Sequence, residues 1–334
     1  MIISNEGRKI WIDYAKCFSI FLVVLFHTNP NLDGFVFDFL KLLRMPAFFL
    51  IAGFLFDIEK WNNFYKFIYH RLKRLIVPYF WFSIIFYILW LIVGRNMIGN
   101  EEMSINTFTP IIEFIRGTPK IILAPYWFIT CLFSIQIVFY LLRKTIKSNI
   151  LLLFISCSLY FIILITNKTN LPWCIDKALL YLPFYAFANI LKTKTEQINY
   201  NNITLNITSI ISTLTLLYIN QTINITYINH IIYITSGLCI IYAYVALCKY
   251  VAQKIGNIHI IKYIGDNNII TLALQNYIIG VIKIISLLLF STNLLGGNYY
   301  IINILTTIIT IAISMLFALI INKYTPFIIG KKNQ

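Results

Sequence analysis

Charged side chains are scarce in this sequence, and acidic ones are the scarcest. Its 334 residues include 12 aspartates and glutamates against 27 lysines and arginines, and charged residues make up only 12% of the chain. Soluble domains carry roughly 25% charged residues. Hydrophobic residues account for 59%, and the mean hydropathy is +0.79. The composition excludes a soluble domain and predicts an integral membrane protein.

Cysteine motifs are also lacking. The six cysteines form neither a CxxC pair nor a Cys/His pair at metal-ligand spacing. Five of them lie in apolar runs, where cysteine behaves as a small hydrophobic side chain. The sequence therefore indicates neither a disulfide framework nor a zinc site, and we expect no metal.

The net charge of +15 follows from clusters of lysine and arginine between the apolar runs. In a soluble protein such an excess indicates nucleic-acid binding, whereas this spacing describes membrane topology. We therefore expect membrane lipid, and no nucleic acid, as a partner.

Apolar segments of spanning length, about 17 to 25 residues, recur ten times. We place them at 11–29, 35–57, 75–94, 125–142, 149–166, 177–192, 202–220, 229–249, 268–290 and 299–322. With the N-terminus inside, 18 cations fall on the inner side and five outside, and four lie within spans. The positive-inside rule then places both termini in the cytoplasm. We predict an all-α polytopic protein of the cytoplasmic (inner) membrane, with a single domain over 1–334.

The first span, "IDYAKCFSIFLVVLFHT" (12–28), is apolar except for Asp13, Lys16 and His27. Lys16 and His27 are three helical turns apart, so they share a face, with about 16 Å between them along the axis. The plain alternative is a headgroup-level histidine and a snorkelling lysine. Because ionisable groups within a span usually face a polar cavity or a partner, the pair favours a functional face.

The second span carries Lys41 and Arg44 one turn apart, shortly before Pro46. We expect Pro46 to break or kink the helix, and the small Ala52 and Gly53 to allow close helix packing. A bent helix with snorkelling cations is the plain alternative.

An interfacial helix is indicated before the third span by apolar residues at helical spacing: Trp61, Tyr65, Ile68 and Leu72. Arg71 and Arg74 share a face at the cytoplasmic mouth of that span, with Lys73 between them. Two guanidinium groups can clamp phosphate bidentately. The alternative is a simple positive-inside anchor.

Four motifs occur in order over the first 130 residues: Lys16-x10-His27, "RMPAFFLIAGFLF", Arg71-x-x-Arg74 followed by "LIVPY", and "YWFIT" at 126–130. Together they resemble the acyltransferase 3 family, especially its fucose 4-O-acetylase-like and polysaccharide O-acetyltransferase branch. A weaker echo is "YIGDNNIITLALQNYI" at 263–278. This chain has Gln275 where the late motif commonly ends in His, and Ala52 where a Ser commonly precedes the glycine.

The resemblance implies a ten-span enzyme that transfers an acyl group, usually acetyl, from cytoplasmic acyl-CoA to a sugar hydroxyl of a cell-surface polysaccharide or lipid-linked glycan. It implies that His27 is the essential histidine and Lys16 the basic residue that accompanies it. Arg71 and Arg74, with Lys73 beside them, then bind the acyl donor, acetyl-CoA. No metal is implied.

The chemistry of acyl transfer supports His27 as general base, because an imidazole with an ordinary pKa of about 6.5 can take a proton from an attacking hydroxyl. We expect Asp13 to pair with Lys16, one turn away, rather than to orient His27. A covalent acyl-histidine route stays open. The oxyanion needs a donor or a cation, and the candidates are Lys41, Arg44, Tyr126 and Trp127.

A transporter or flippase for a lipid-linked sugar is the alternative function. It predicts inverted repeats with broken helices at corresponding places in the two halves. The charged motifs instead lie within the first 130 residues, which favours the enzyme.

Overall fold

The computed structural model describes residues 9–29, 34–61, 63–94, 105–194, 202–223, 225–290 and 300–331. Over these residues the chain forms thirteen α-helices and no strand. Several cations that entered the charge comparison, Arg8, Arg95 and Lys332 among them, lie outside the described residues. The helices are α1 (Ile10–Thr28), α2 (Phe35–Leu55), α3 (Phe64–Arg71), α4 (Val77–Leu89), α5 (Phe108–Arg116), α6 (Trp127–Thr145), α7 (Asn149–Thr166), α8 (Ile175–Lys194), α9 (Ile203–Thr222), α10 (Thr226–Ile255), α11 (His259–Asp266), α12 (Asn268–Phe290) and α13 (Tyr300–Tyr324).

The prediction of an all-α polytopic membrane protein is confirmed. Within the described ranges, nine helical segments are long and apolar enough to cross a membrane. The 21-residue α2 is also of spanning length but carries Asp38, Lys41 and Arg44. Each of the ten predicted spans falls on one of these helices.

The structure adds detail to the predictions for the second and third spans. α2 continues through Pro46, so of the two predicted outcomes, a break or a kink, the helix does not break. The segment predicted as an interfacial helix is continuous with the third span: α3 passes through a π-helical segment, Leu72–Ile76, into α4. On α3, Phe67 is buried within the protein and Tyr65 is exposed.

Pro78 explains the π-helical segment. A proline in the first turn of α4 has no N–H for the carbonyl four residues earlier, and its ring crowds that carbonyl. The Val77 N–H reaches back five residues to the Leu72 carbonyl, which widens the turn. Such π-turns within α-helices occur frequently at functional sites.

The chain divides into two compact units. Unit 1 comprises Met1–Leu55 and Phe187–Phe317, and unit 2 comprises Phe56–Ala186 and Ala318–Gln334. In unit 1, α1 packs against α2, α10, α11 and α12. α2 is antiparallel to α1, since Trp11 contacts Phe54 at one end and Phe26 stacks on Phe37 at the other.

Unit 2 has an aromatic core. Phe56, Phe139 and Tyr185 are buried, with ring centroids 5.2 Å apart for the first pair and 4.8 Å for the second. Phe67 is fully buried and stacks on Tyr140, 4.6 Å between centroids. This core positions the end of α3 and the π-helical turn that follows it.

Candidate active site

His27 lies in the last turn of α1 and is half-buried. Its ring meets the Phe26 ring edge-on at 5.6 Å. Neither ring nitrogen makes a hydrogen bond to any residue that the structure describes. An imidazole in this state is free to accept a proton from a substrate hydroxyl.

Arg44 is the charged neighbour of His27. Its guanidinium lies over the Phe26 ring, 3.7 Å from the centroid. Because α2 is antiparallel to α1, the outer half of α2 comes beside the last turn of α1, and this packing brings the arginine to the histidine. We call His27, Phe26 and Arg44 the histidine group.

Lys41, the other cation of α2, has a different environment. Its Nζ is 3.0 Å from an Asp38 carboxylate oxygen, and both side chains are about 40% exposed, at 43% and 40%. The Lys41 charge is therefore already paired at the surface. Of the two candidates on α2, Arg44 is better placed to stabilise an oxyanion near His27.

Asp13 and Lys16 lie where α11 packs on α1. Asp13 is buried at 3% exposure. A Cβ on Gly265 of α11 would lie 3.4 Å from both the Asp13 carbonyl oxygen and the Lys16 Cβ, so a small residue suits this contact. The Asn268 side-chain amide donates to the Lys16 carbonyl at 3.5 Å. The late segment 263–278 thus lies against the first motif, which their separation in sequence does not show.

Tyr244 of α10 is a residue that sequence reasoning missed. Its hydroxyl donates to the Ala15 carbonyl at 2.6 Å and lies 2.9 Å from the Ser19 hydroxyl. Gln275, at the position of the family's late histidine, is fully buried, and its amide makes no hydrogen bond within the described chain. Both residues lie in apolar helices without a motif of their own, so only packing identifies them.

Arg71 is enclosed by aromatic rings in unit 2. Its guanidinium lies 5.4 Å from the Trp61 ring centroid and 5.1 Å from that of Phe67. No carboxylate or other hydrogen-bond acceptor among the described residues contacts it, and its Nε is buried without a partner. We call Arg71, Trp61, Phe67 and Tyr185 the arginine group.

Arg74 and Lys73 differ from Arg71. Arg74 is exposed and Lys73 is half-buried. Gly330, after the short 3-10 turn Pro326–Ile329, packs directly on the Lys73 carbonyl, where a Cβ would lie 1.8 Å from the oxygen. Gly330 has φ +65, so glycine is required there both by conformation and by space.

Tyr126 and Trp127 belong to unit 2, whereas His27 belongs to unit 1. Tyr126 is fully buried beside Tyr79 and Phe82. Trp127 is half-buried, with the Lys177 ammonium 4.3 Å from its ring centroid. The contacts described for Tyr126 and Trp127 are therefore with residues of unit 2.

Comparison with known proteins gives one match. A family model described as an acyltransferase domain matches residues 9–323, nearly the whole chain. No curated protein and no solved structure matches it. The family match agrees with the motifs around His27, Arg44 and Arg71, and on this evidence the chain belongs to the acyltransferase 3 family.

Proposed function

We propose that this membrane acyltransferase moves an acyl group, acetyl in the first instance, from cytoplasmic acyl-CoA to a sugar hydroxyl. The acceptor is a cell-surface polysaccharide or lipid-linked glycan at the cytoplasmic membrane, as in the O-acetyltransferase branch that the motifs resemble. The observation that carries the proposal is the histidine group: an imidazole whose nitrogens make no hydrogen bond to the described residues, beside a guanidinium, inside a membrane helix.

The histidine group can provide both the base that takes the hydroxyl proton and the cation that stabilises the oxyanion. The hydroxyl oxygen attacks the thioester carbonyl carbon while a ring nitrogen of His27 takes the hydroxyl proton. Arg44 stabilises the negative charge that develops on the carbonyl oxygen. The carbon–sulfur bond then breaks, and the CoA sulfur receives the proton from His27.

The arginine group supports an anionic donor. A partly buried guanidinium without a carboxylate partner suits the phosphates of CoA. In the predicted topology Arg71 lies near the cytoplasm, as does Lys16, and His27 lies near the outer surface. An extended pantetheine arm can bridge the roughly 16 Å from Lys16 to His27, so that the acyl group crosses while the nucleotide stays inside.

Sealed inside-out vesicles test this proposal. They receive radiolabelled acetyl-CoA on the cytoplasmic face and a glycan acceptor in the lumen, and mass spectrometry identifies the modified sugar. We expect label on the luminal glycan without entry of free CoA. Label on a cytoplasmic acceptor alone would contradict transfer across the membrane, and sugar movement without label would indicate a transporter.

His27→Ala is the decisive variant. We expect transfer to be abolished while expression and thermal unfolding stay close to the wild type. The matched control is His259→Ala, since His259 is an exposed histidine at the start of α11. Transfer at the wild-type rate in His27→Ala would overturn the general-base assignment.

A further inference from the structure

Tyr185 of α8 is fully buried, yet its hydroxyl makes no hydrogen bond to any described residue. Its ring is held by Phe139 at 4.8 Å and by Phe56 at 6.2 Å between centroids. A hydroxyl removed from water without a partner is destabilising. Buried tyrosines usually find one, so this hydroxyl is a candidate ligand-binding group.

The same aromatic core contains a buried cationic nitrogen, the Nε of Arg71. Arg71 is linked to Tyr185 through ring contacts of the aromatic core. Phe67 connects them, since it contacts Phe56 at 6.0 Å between centroids and lies under the guanidinium at 5.1 Å. The Arg71 Nε and the Tyr185 hydroxyl are therefore two buried donors in one aromatic core, and neither has a hydrogen-bond acceptor among the described residues.

His70 adds a third polar atom. Its ring lies against Trp61, 4.9 Å between centroids, and its Nδ1 is buried without a partner within the described chain. Arg71 and His70 are themselves only half-buried, so both side chains reach the surface of unit 2. The π-helical turn begins directly after Arg71 and places Lys73 and Arg74 beside it.

Two donors and a fixed positive charge call for an acceptor with several anionic oxygens, which is the chemistry of phosphate. We propose that Tyr185 is a binding residue for the same phosphate group that Arg71 holds, with His70 at its edge. This rests on the proposed acyl-CoA donor. The phosphate can come from the CoA nucleotide or from a lipid headgroup, and we assign it to the nucleotide.

Tyr185→Phe removes the hydroxyl and keeps the ring. We expect acetyl-CoA affinity, measured with the full-length protein in phosphatidylcholine nanodiscs, to fall about ten-fold to 100-fold, the effect of one hydrogen bond to a charged group. The same loss is expected for adenosine 3′,5′-bisphosphate, which lacks the pantetheine arm. Thermal stability without ligand should stay unchanged or rise, because no protein hydrogen bond is lost.

Tyr140→Phe is the matched control from the same aromatic core. The Tyr140 hydroxyl donates to the Trp61 carbonyl at 3.1 Å, so this variant should lose stability without a direct loss of affinity. A structural role for Tyr185 would give the same behaviour as Tyr140→Phe and would overturn the proposal.

The acetyl-CoA binding measurements distinguish a wrong role for Tyr185 from a wrong acyl donor. If the wild-type protein binds no acetyl-CoA, the proposed donor is wrong. If the wild type binds and Tyr185→Phe binds equally well, the assignment of Tyr185 is wrong. A lipid headgroup is indicated instead if Tyr185→Phe weakens only the stabilisation by phosphatidylglycerol nanodiscs and leaves acetyl-CoA affinity intact.

Discussion

Arg44 and Lys41 lie one turn apart on α2, and exchanging each for methionine tests the proposal that Arg44 acts in catalysis and Lys41 does not. Arg44 lies over Phe26 at 3.7 Å beside His27. Lys41 is ion-paired with Asp38 at 3.0 Å on a half-exposed surface. Methionine retains much of the side-chain length in both variants and removes the charge.

The expected magnitudes differ by about two orders. Loss of one oxyanion-stabilising group lowers kcat about 100-fold to 1,000-fold, and we expect this of Arg44→Met. Its lost cation–π contact should also cost about 1 to 2 kcal/mol of stability. An exposed ion pair contributes about 0 to 1 kcal/mol, so Lys41→Met should leave kcat within a few-fold of the wild type.

The assay is the initial rate of acyl transfer in sealed vesicles over a range of acetyl-CoA concentrations, which gives kcat and KM separately. Thermal unfolding in detergent is measured alongside, because a fall in the amount of folded protein lowers the rate without any catalytic effect. Arg44→Lys keeps the charge and should recover part of kcat. Equal losses in Arg44→Met and Lys41→Met, or a change in KM alone for Arg44→Met, would refute the oxyanion role.

Two further predictions concern the π-helical turn of unit 2 and the residues beside it. Arg71→Gln should weaken acetyl-CoA binding about ten-fold to 100-fold, because the proposed charge-assisted contact with phosphate is lost. Arg74 is exposed, so Arg74→Gln should weaken binding only a few-fold, and the difference should disappear in high salt. Binding titrations at two salt concentrations check this, and equal effects of the two variants would indicate that both arginines are only topological anchors. Gly330→Ala should lower the unfolding temperature well below that of Gly256→Ala. Both glycines have positive φ, but of the two only Gly330 would place a Cβ against backbone, the Lys73 carbonyl. Similar unfolding temperatures for the two variants would contradict that packing.

Much of the architecture follows from local properties of the sequence. Membrane insertion depends on the hydropathy of each segment, which adds up residue by residue, so the ten spans could be placed without knowing their neighbours. The spacing of Lys16 and His27 fixes their shared face once the segment is helical. The order of short motifs identified the family.

Local patterns were less reliable where backbone geometry decides the outcome. Pro46 was expected to break or kink α2, and α2 continues through it, because a helix accommodates proline when its surroundings supply compensation. Pro78 lies where a turn can widen, and there the helix changes to π geometry. Helix propensity alone does not predict that the helix stays α-helical at Pro46 and changes to π geometry before Pro78.

Only the tertiary structure decided which polar groups act together. In sequence Arg71 and Arg74 are equivalent, as are Lys41 and Arg44, because helical spacing records a face and not its environment. Side chains from distant segments distinguish them: the Arg44 guanidinium packs over the Phe26 ring of α1. Tyr185, more than 100 positions after Arg71, enters the arginine group because the aromatic core of unit 2 excludes water most completely when these helices pack together.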